Sequence, residues 1–405
     1  TSSLVGSEMC IRDRLMTPAF DTVFSEDEIP AYPLAIIALP GAEEFAEKVD
    51  KYLVDWYGRE CAKKTPASFI VPTNFPRFTS GDGKAMILDS VRGKDLYVII
   101  DTGNHGVQYK MFGQMQCMSP DDHFQNLKRL ISAVGGKASR ITVVMPLLYG
   151  GRQHRRNARE SLDCAIMLRE LEVMGVKDII TFDAHDPRVQ NAVPLMGFDN
   201  FFPCYQILKA VVRKYPDIVF DKEHTMIISP DEGAMSRNIY YASVLGLDLG
   251  MFYKRRDFSV VINGRNPIVA HEYIGNPVAG KDILVADDII ATGDSMLHLA
   301  KDLKDKGARR IILVPTFAMF TEGTERFDKA YAEGIFDGVI STNLSYTLPE
   351  LSEREWFSKA ELSKYMAYII SACNHNASVS GLLDPHEKIH DLLRRHNENL
   401  NKSNK

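Results

Sequence analysis

The chain has 405 residues, of which 45% are hydrophobic and 25% charged, with a formal net charge of −5. That length suits two domains with sizeable cores, and the composition argues against disorder of the whole chain. The mild acidity and the lack of a long basic run leave no footprint of a nucleic-acid binder, and no apolar run approaches the ~20 residues that span a bilayer. The cysteines (Cys10, Cys61, Cys117, Cys164, Cys204 and Cys373) are scattered without C-x-x-C spacing. A zinc site or disulfide framework is therefore not expected, and a reducing, cytoplasmic compartment is.

In chain order, Thr1–Arg14 shows neither the charged and apolar blocks of a signal peptide nor any periodicity, so residues 1–32 are read as an N-terminal extension, partly non-native or disordered. Short apolar strands then alternate with helices, the pattern of an α/β chain with mostly parallel sheets. Strands are expected at Leu34–Leu39, Phe69–Val71, Leu96–Asp101, Ile141–Met145 and Ile179–Phe182. The later ones are expected at Met226–Ser229, Leu249–Lys254, Ile283–Asp287, Ile311–Val314 and Gly338–Ser341. Helices are expected at Glu43–Tyr57, Asp122–Val134, Ser161–Met174, Tyr205–Lys214, Ala234–Leu245, Ser295–Lys306 and Glu361–Cys373. Several strands are unbroken apolar runs, as in sheets covered on both faces. A boundary near Phe202–Tyr205 divides a first domain (33–204) from a second (205–345). The segment 346–396 is expected to return to the first domain and 397–405 to form a disordered tail. The Gly- and Met-containing stretch Asp101–Asp121 suggests no function.

Ligands of open α/β sheets bind beyond the carboxyl ends of strands, so polar residues there are the first candidates for a site. The segment Asp282–Ser295 runs from an apolar strand into Asp287 and Asp288, then into the small turn Thr292-Gly293-Asp294-Ser295 and an amphipathic helix. Backbone N–H groups and the dipole at a helix start suit a phosphate, and the two acids suit sugar hydroxyls or a metal. An ordinary strand-to-helix turn with Asp and Ser as caps would look the same. Four arginines crowd Arg152–Arg159 after two glycines, which makes either a clamp for a polyanion or a solvated loop. His185, between Asp183 and Asp186 at a strand end, is either a metal ligand oriented by a carboxylate or a structural histidine. Asp231 reads as the cap of the following helix. Lys254-Arg255-Arg256 leaves a strand as three adjacent cations, facing an anion or solvent. Pro76–Asp82 reads as a surface turn.

Together these motifs resemble, in order from about Pro33 to Leu383, those of the ribose-phosphate pyrophosphokinases (phosphoribosyl pyrophosphate synthetases). The ribose-phosphate loop D-D-x-x-D-T-G-G-T is matched by Asp287, Asp288, Thr292 and Gly293, with Ala291 for the third Asp, Asp294 for the second Gly and Ser295 for the last Thr. Y-A-R-Q-D-R is matched by Tyr149, Arg152, Gln153 and Arg155, with Gly for Ala, one inserted Gly and His154 for Asp. D-L-H is matched at His185, S-P-D-x-G at Asp231, K-R-R at Lys254 to Arg256, and R-F-x-D-G-E by Arg77, Phe78 and Gly81, with Ser80 for Asp and Asp82 for Glu.

The resemblance implies two phosphoribosyltransferase type I-like domains, each a mainly parallel sheet flanked by helices. It implies pyrophosphoryl transfer from ATP to ribose 5-phosphate, in a homo-oligomer built from dimers into hexamers, with no nucleic-acid or membrane partner. Lys254 and Arg256 would act in catalysis. Phe78, Ser80, Asp82, Arg152, Gln153 and Arg155 would bind ATP, and Asp287, Asp288 and Ala291 to Ser295 the ribose 5-phosphate. His185 and Asp231 would hold Mg²⁺, a cation that keeps waters and leans on substrate phosphates. The departures Ala291 and Asp294 leave open a non-catalytic regulatory relative. A phosphoribosyltransferase acting on a base is a further alternative, though it would leave the Arg152–Gln153 element unexplained.

Overall fold

The structure, a computed structural model, describes residues 32–60, 66–256 and 268–403. The N-terminal extension up to residue 31 and the turn-rich stretch 257–267 lie outside the described residues. The first sheet and its covering elements run β1 (Leu34–Ala38), α1 (Glu43–Glu60), the short pair β2 (Thr73–Asn74) and β3 (Met86–Ile87), then β4 (Asp95–Ile99). They continue with β5 (Gln108–Met111), β6 (Gln114–Cys117), α2 (Pro120–Val134), β7 (Arg140–Val144), α3 (Asp163–Val173), β8 (Asp178–Phe182) and β9 (Gly197–Phe201). The sheet order is β1-β4-β7-β8-β9, parallel throughout. The chain writes its helix ends plainly. Ser119 and Asp122 form a reciprocal capping box at α2, Pro120 takes the first turn, and Gly135 closes the helix at φ 58°.

The second set is α4 (Cys204–Lys214), β10 (Thr225–Ser229), α5 (Met235–Leu245), β11 (Asp248–Arg256), β12 (Ile268–Ile274) and β13 (Asp282–Ile290). It continues with α6 (Asp294–Asp305), β14 (Arg310–Ala318), α7 (Glu325–Ala332), β15 (Gly338–Thr342) and β16 (Phe357–Ala360). Its order is β12-β11-β10-β13-β14-β15-β16, and of these pairings only β11 with β12 is antiparallel. After β10 the chain adds β11 on one side and β13 on the other, so the strand order reverses at β10. That is a topological switch point, where the loops after neighbouring strands diverge and leave a crevice.

Three helices end the chain: α8 (Ser363–Asn374), α9 (Ser380–Leu383) and α10 (His386–Ser403). α8 lies against α1, with Trp56 stacked on Tyr368 at 4.4 Å between ring centroids. Its end is tied to the first sheet: Asn374 Nδ2 donates to Asp95 Oδ2 at 2.8 Å and Arg140 Nη2 to the Cys373 carbonyl at 2.7 Å. Ile36 and Ile180 of the first sheet and Leu284 and Ile340 of the second belong to one buried cluster, together with Ile207 of α4 and Met366 of α8. The two sheets thus share a core, and the relation of their strand ends is fixed by packing.

Several expectations need correction. The tail expected to be disordered from Asn397 is the end of α10. Ile389 and His396 are buried and Leu392 packs on the same cluster, so polar residues merely extend a helix already anchored by its apolar stripe. Phe69–Val71 is reduced to a single bridge, Ile36 to Ile70, because Pro72 has no N–H with which to extend the ladder. β13 runs three residues past Asp287, so both acids sit inside a strand. The Asp101–Asp121 stretch contains the β5–β6 hairpin, closed by Phe112 (φ 48°) and Gly113 (φ 83°) as a type I′ turn.

Candidate active site

β8 hands the chain to Asp183, a non-glycine residue at φ 47°. Such a conformation persists only where its surroundings hold it. Asp183 N–H donates to the Phe201 carbonyl at 2.9 Å. The buried carboxylate receives Arg237 Nε at 2.8 Å to each oxygen and Thr316 Oγ1 at 2.6 Å. The turn carries His185 across to the second sheet, where its Nδ1 lies 2.7 Å from Asp288 Oδ2. Arg237 also reaches Asp287 Oδ1 at 3.5 Å. One buried guanidinium therefore joins the end of β8 to β13, beside a histidine–carboxylate pair that makes the same crossing.

The electrostatics follow. The hydrogen bond with Asp288 raises the pKa of His185. Burial alone would raise Asp288, yet the hydrogen bond from His185 and the charge of Arg237 hold it below the usual carboxylate range. Burial, and then the neighbouring charge of Asp288, push Asp287 well above the usual carboxylate range. The adjacent acids are thus distinct: Asp288 is drawn down by its partners and meets an imidazole, while Asp287 is pushed up. Asp231 also contributes to the shift of Asp287, which places it in the same field. Its Oδ1 accepts from Ala234 N–H at 3.2 Å, which closes the turn leading into α5 without capping the helix itself, and Ser229 Oγ donates to its carbonyl at 2.8 Å.

With Nδ1 occupied by Asp288, His185 has Nε2 for a ligand, the arrangement in which a carboxylate fixes the tautomer of a metal-binding histidine. A site with His185 and Asp231 as its protein ligands is sparse, which suits a hard cation that keeps waters and substrate oxygens. The one grouping of three metal-type donors among the described residues, Asp178, Asp199 and Cys373, lies outside this centre.

The turn after β13 is shaped by Gly293 at φ 86°. A Cβ there would meet Phe327 Cε2 at 2.3 Å, so only glycine fits. Asp294 N–H faces Thr292 Oγ1 at 3.4 Å, the Ala291 carbonyl accepts from Thr321 N–H at 3.0 Å, and Ser295 is exposed on the first turn of α6. The Asp294 carboxylate is paired with Arg326 of α7.

The Arg152–Arg155 segment is a loop entered through Gly150 at φ 65°, with Arg152, Gln153 and Arg155 exposed and His154 half-buried. It borders His185: the charge of Arg152 acts to lower the pKa of His185, and the rings of His154 and His185 are 5.2 Å apart. Burial, and then the charge of His185, lower the pKa of His154. Gln153 N–H donates to the Gly150 carbonyl at 2.8 Å, and Arg155 is exposed.

Phe78, Ser80 and Asp82 stand in a different neighbourhood. Their turn leans on the β5–β6 hairpin through Phe112 N–H to the Thr79 carbonyl, 2.9 Å, with Arg77 stacked over Tyr109. Ser80 Oγ donates to Asp82 Oδ2 at 2.8 Å, and Phe78 is 55% exposed. Lys254 and Arg256 end β11, and their side chains lie outside the described residues.

Sequence reading missed Arg237. A single Arg in a helix ordinarily faces solvent. The available signal was its i, i+4 relation to Tyr241, which places it on the inward face of α5, six residues after Asp231.

Comparison with known proteins agrees with this geometry. A family profile described as the N-terminal domain of ribose phosphate pyrophosphokinase matches residues 34–175, and one described as a phosphoribosyl transferase domain matches residues 201–341. The chain is 29% identical over 311 residues to the ribose-phosphate pyrophosphokinase of Wolinella succinogenes, covering 76% of this chain and 89% of that one. It is 27% identical over 312 residues to that of Pasteurella multocida, with the same coverage. In fold it is similar to the crystal structure of phosphoribosylpyrophosphate synthetase from Mycobacterium smegmatis, with a TM-score of 0.67 at 20% identity, covering 85% of this chain and 100% of that one.

Proposed function

The chain belongs to the ribose-phosphate pyrophosphokinase family, and we propose that it transfers the β,γ-pyrophosphoryl group of ATP to the C1 hydroxyl of ribose 5-phosphate. The products are phosphoribosyl pyrophosphate and AMP, for nucleotide biosynthesis. The observation that carries the division of labour is the 2.7 Å contact between His185 and Asp288. It brings the metal motif of the first domain against the ribose motif of the second, residues 103 positions apart.

Phosphoryl chemistry of this kind needs in-line positioning and charge neutralisation more than covalent help. The turn Thr292–Ser295 holds the 5-phosphate on backbone N–H groups at the start of α6. Asp287 and Asp288 receive the ribose hydroxyls, and Ala291 leaves that rim without a third carboxylate. Arg152, Gln153 and Arg155 hold the nucleotide beside His185. His185 Nε2 and Asp231 would hold Mg²⁺, which when bound would neutralise charge on the phosphate oxygens. Arg237 keeps the carboxylates of both domains in place. Lys254 and Arg256 are assigned to the charge developing on the transferring group, where one preorganised cation supplies ~10²-fold in rate. Phe78, Ser80 and Asp82, held against the β5–β6 hairpin, fit a contact with the nucleotide of a neighbouring subunit in a dimer-based assembly. No helix among the described residues is long and apolar enough to cross a membrane, and the scattered cysteines fit a cytoplasmic setting.

The test is AMP release from ATP and Mg²⁺ with and without ribose 5-phosphate, the sugar product being identified by mass. AMP formed only with the sugar, together with phosphoribosyl pyrophosphate, is the expected result. A folded, metal-replete sample that binds nucleotide without turnover would reject the reading.

A further inference from the structure

Asp294 stands where the resembled loop has glycine, and it brings a carboxylate to the first turn of α6. Acids are favoured there because they take up the positive end of the helix dipole, the same potential a bound phosphate would use. A chain that binds a phosphomonoester at this turn has to offset that carboxylate. The cation that does so is Arg326, whose Nη1 lies 2.5 Å from Asp294 Oδ1 and whose Nη2 lies 2.9 Å from Glu322 Oε2.

Arg326 is not a drifting surface side chain in its backbone placement. The next residue, Phe327, is fully buried, and its ring fills the space that Gly293 leaves by having no Cβ. Two residues of the segment before α7 are tied to the loop: Met319 N–H donates to the Ile290 carbonyl at 2.8 Å and Thr321 N–H to the Ala291 carbonyl at 3.0 Å. The shelf from Met319 to Phe327 is therefore fastened along the rim of the turn, and Arg326 is carried on it. Both partners are about half exposed, 54% and 52%. An exposed ion pair contributes little to folding stability, so its consequence is for the potential at the turn.

We propose that Arg326 is a positioning residue for the sugar phosphate: by pairing with Asp294 it offsets part of the charge that would repel the 5-phosphate and helps the turn accept a phosphorylated sugar. This rests on the reading of Thr292–Ser295 as the 5-phosphate site. Removing Arg326 alone exposes the phosphate to an unpaired carboxylate, whereas removing both groups restores the ordinary loop.

The test is a double-mutant cycle on the full chain with Arg326→Ala, Asp294→Gly and the pair together. It is read by initial rates and by calorimetric titration with ribose 5-phosphate and with unphosphorylated ribose. Arg326→Ala is expected to raise KM for ribose 5-phosphate ~10-fold, with kcat and KM for ATP moving less than about twofold. Asp294→Gly should lower that KM, and the double variant should return to within about threefold of the parent. An unchanged KM in Arg326→Ala, or a double variant as poor as Arg326→Ala, overturns the proposal. If the parent makes no AMP, the reaction assigned above fails. Titration of ribose 5-phosphate onto the same four proteins still reads the pair, because coupling in its affinity, absent for ribose, upholds the proposal and additive effects reject it. Turnover without coupling leaves the reaction standing and removes Arg326.

Discussion

Arg237→Met separates the network at the domain junction from ordinary surface electrostatics. In the native protein Asp183 is 3% exposed and its two oxygens share the Nε–H of Arg237, 2.8 Å from each, together with one hydroxyl from Thr316. Methionine keeps much of the apolar stem and removes the charge. Asp183 would then keep the Thr316 hydroxyl and its burial, and Asp287 would lose the cation 3.5 Å away. Breaking a buried ion pair from one side costs about 3–5 kcal/mol, because the remaining charge is uncompensated. The Thr316 hydroxyl and protonation of Asp183, whose pKa burial already raises, place the expectation at the lower end of that range. Urea unfolding followed by circular dichroism measures it. Asp183→Asn in the Arg237→Met background should recover most of the stability, since the buried charge is gone. It should not recover AMP formation, because Asp287 still lacks its cation. A loss below about 1 kcal/mol in the single variant, or strictly additive single and double variants, would refute the reasoning.

Three more expectations come from the same geometry. Asp288→Asn should weaken divalent-cation binding about 10–100-fold, the usual cost of losing the carboxylate behind a ligating histidine; calorimetry with Mn²⁺ decides it, and unchanged affinity removes Asp288 from that role. Gly293→Ala places a Cβ 2.3 Å from Phe327 Cε2 at φ 86°. It should cost about 1–3 kcal/mol and raise KM for ribose 5-phosphate, and a variant equal to the parent in melting and KM contradicts the fit. Burial, and then the charge of Asp199, hold Asp178 at about 7 in the folded state, above its unfolded value of about 4. The folded chain therefore binds a proton that the unfolded chain releases in that window. Stability from this group is complete below about pH 4 and lost as pH rises through 7, with a slope of up to ~1.4 kcal/mol per pH unit. Urea melts from pH 5 to 8 should show the decline and Asp178→Asn should flatten it; the same slope in both proteins means another group is responsible.

What the sequence by itself determined is local. Unbroken apolar runs such as Ile283–Ala286 specify buried strands, and the helix expected at Asp122–Val134 falls within α2, because hydrogen-bonding pattern and backbone preference act within a few residues. The motif order was legible for the same reason: each motif is a strand end followed by a turn whose residue types betray its chemistry. The polar strand Gly197–Phe201 and the helix Glu325–Ala332 carried no comparable periodicity and were missed. The tail was misjudged because its polar residues were weighed apart from the anchored turn before them. Tertiary structure alone decided the partnerships. His185 with Asp288, Arg237 with Asp183 and Asp287, and Arg326 with Asp294 join residues 103, 54, 50 and 32 positions apart. Each depends on how two sheets with a common core set their strand ends against one another. A carboxylate read from sequence is a charge of unknown sign of effect, since repulsion or support is set by the distance to a partner that only packing supplies.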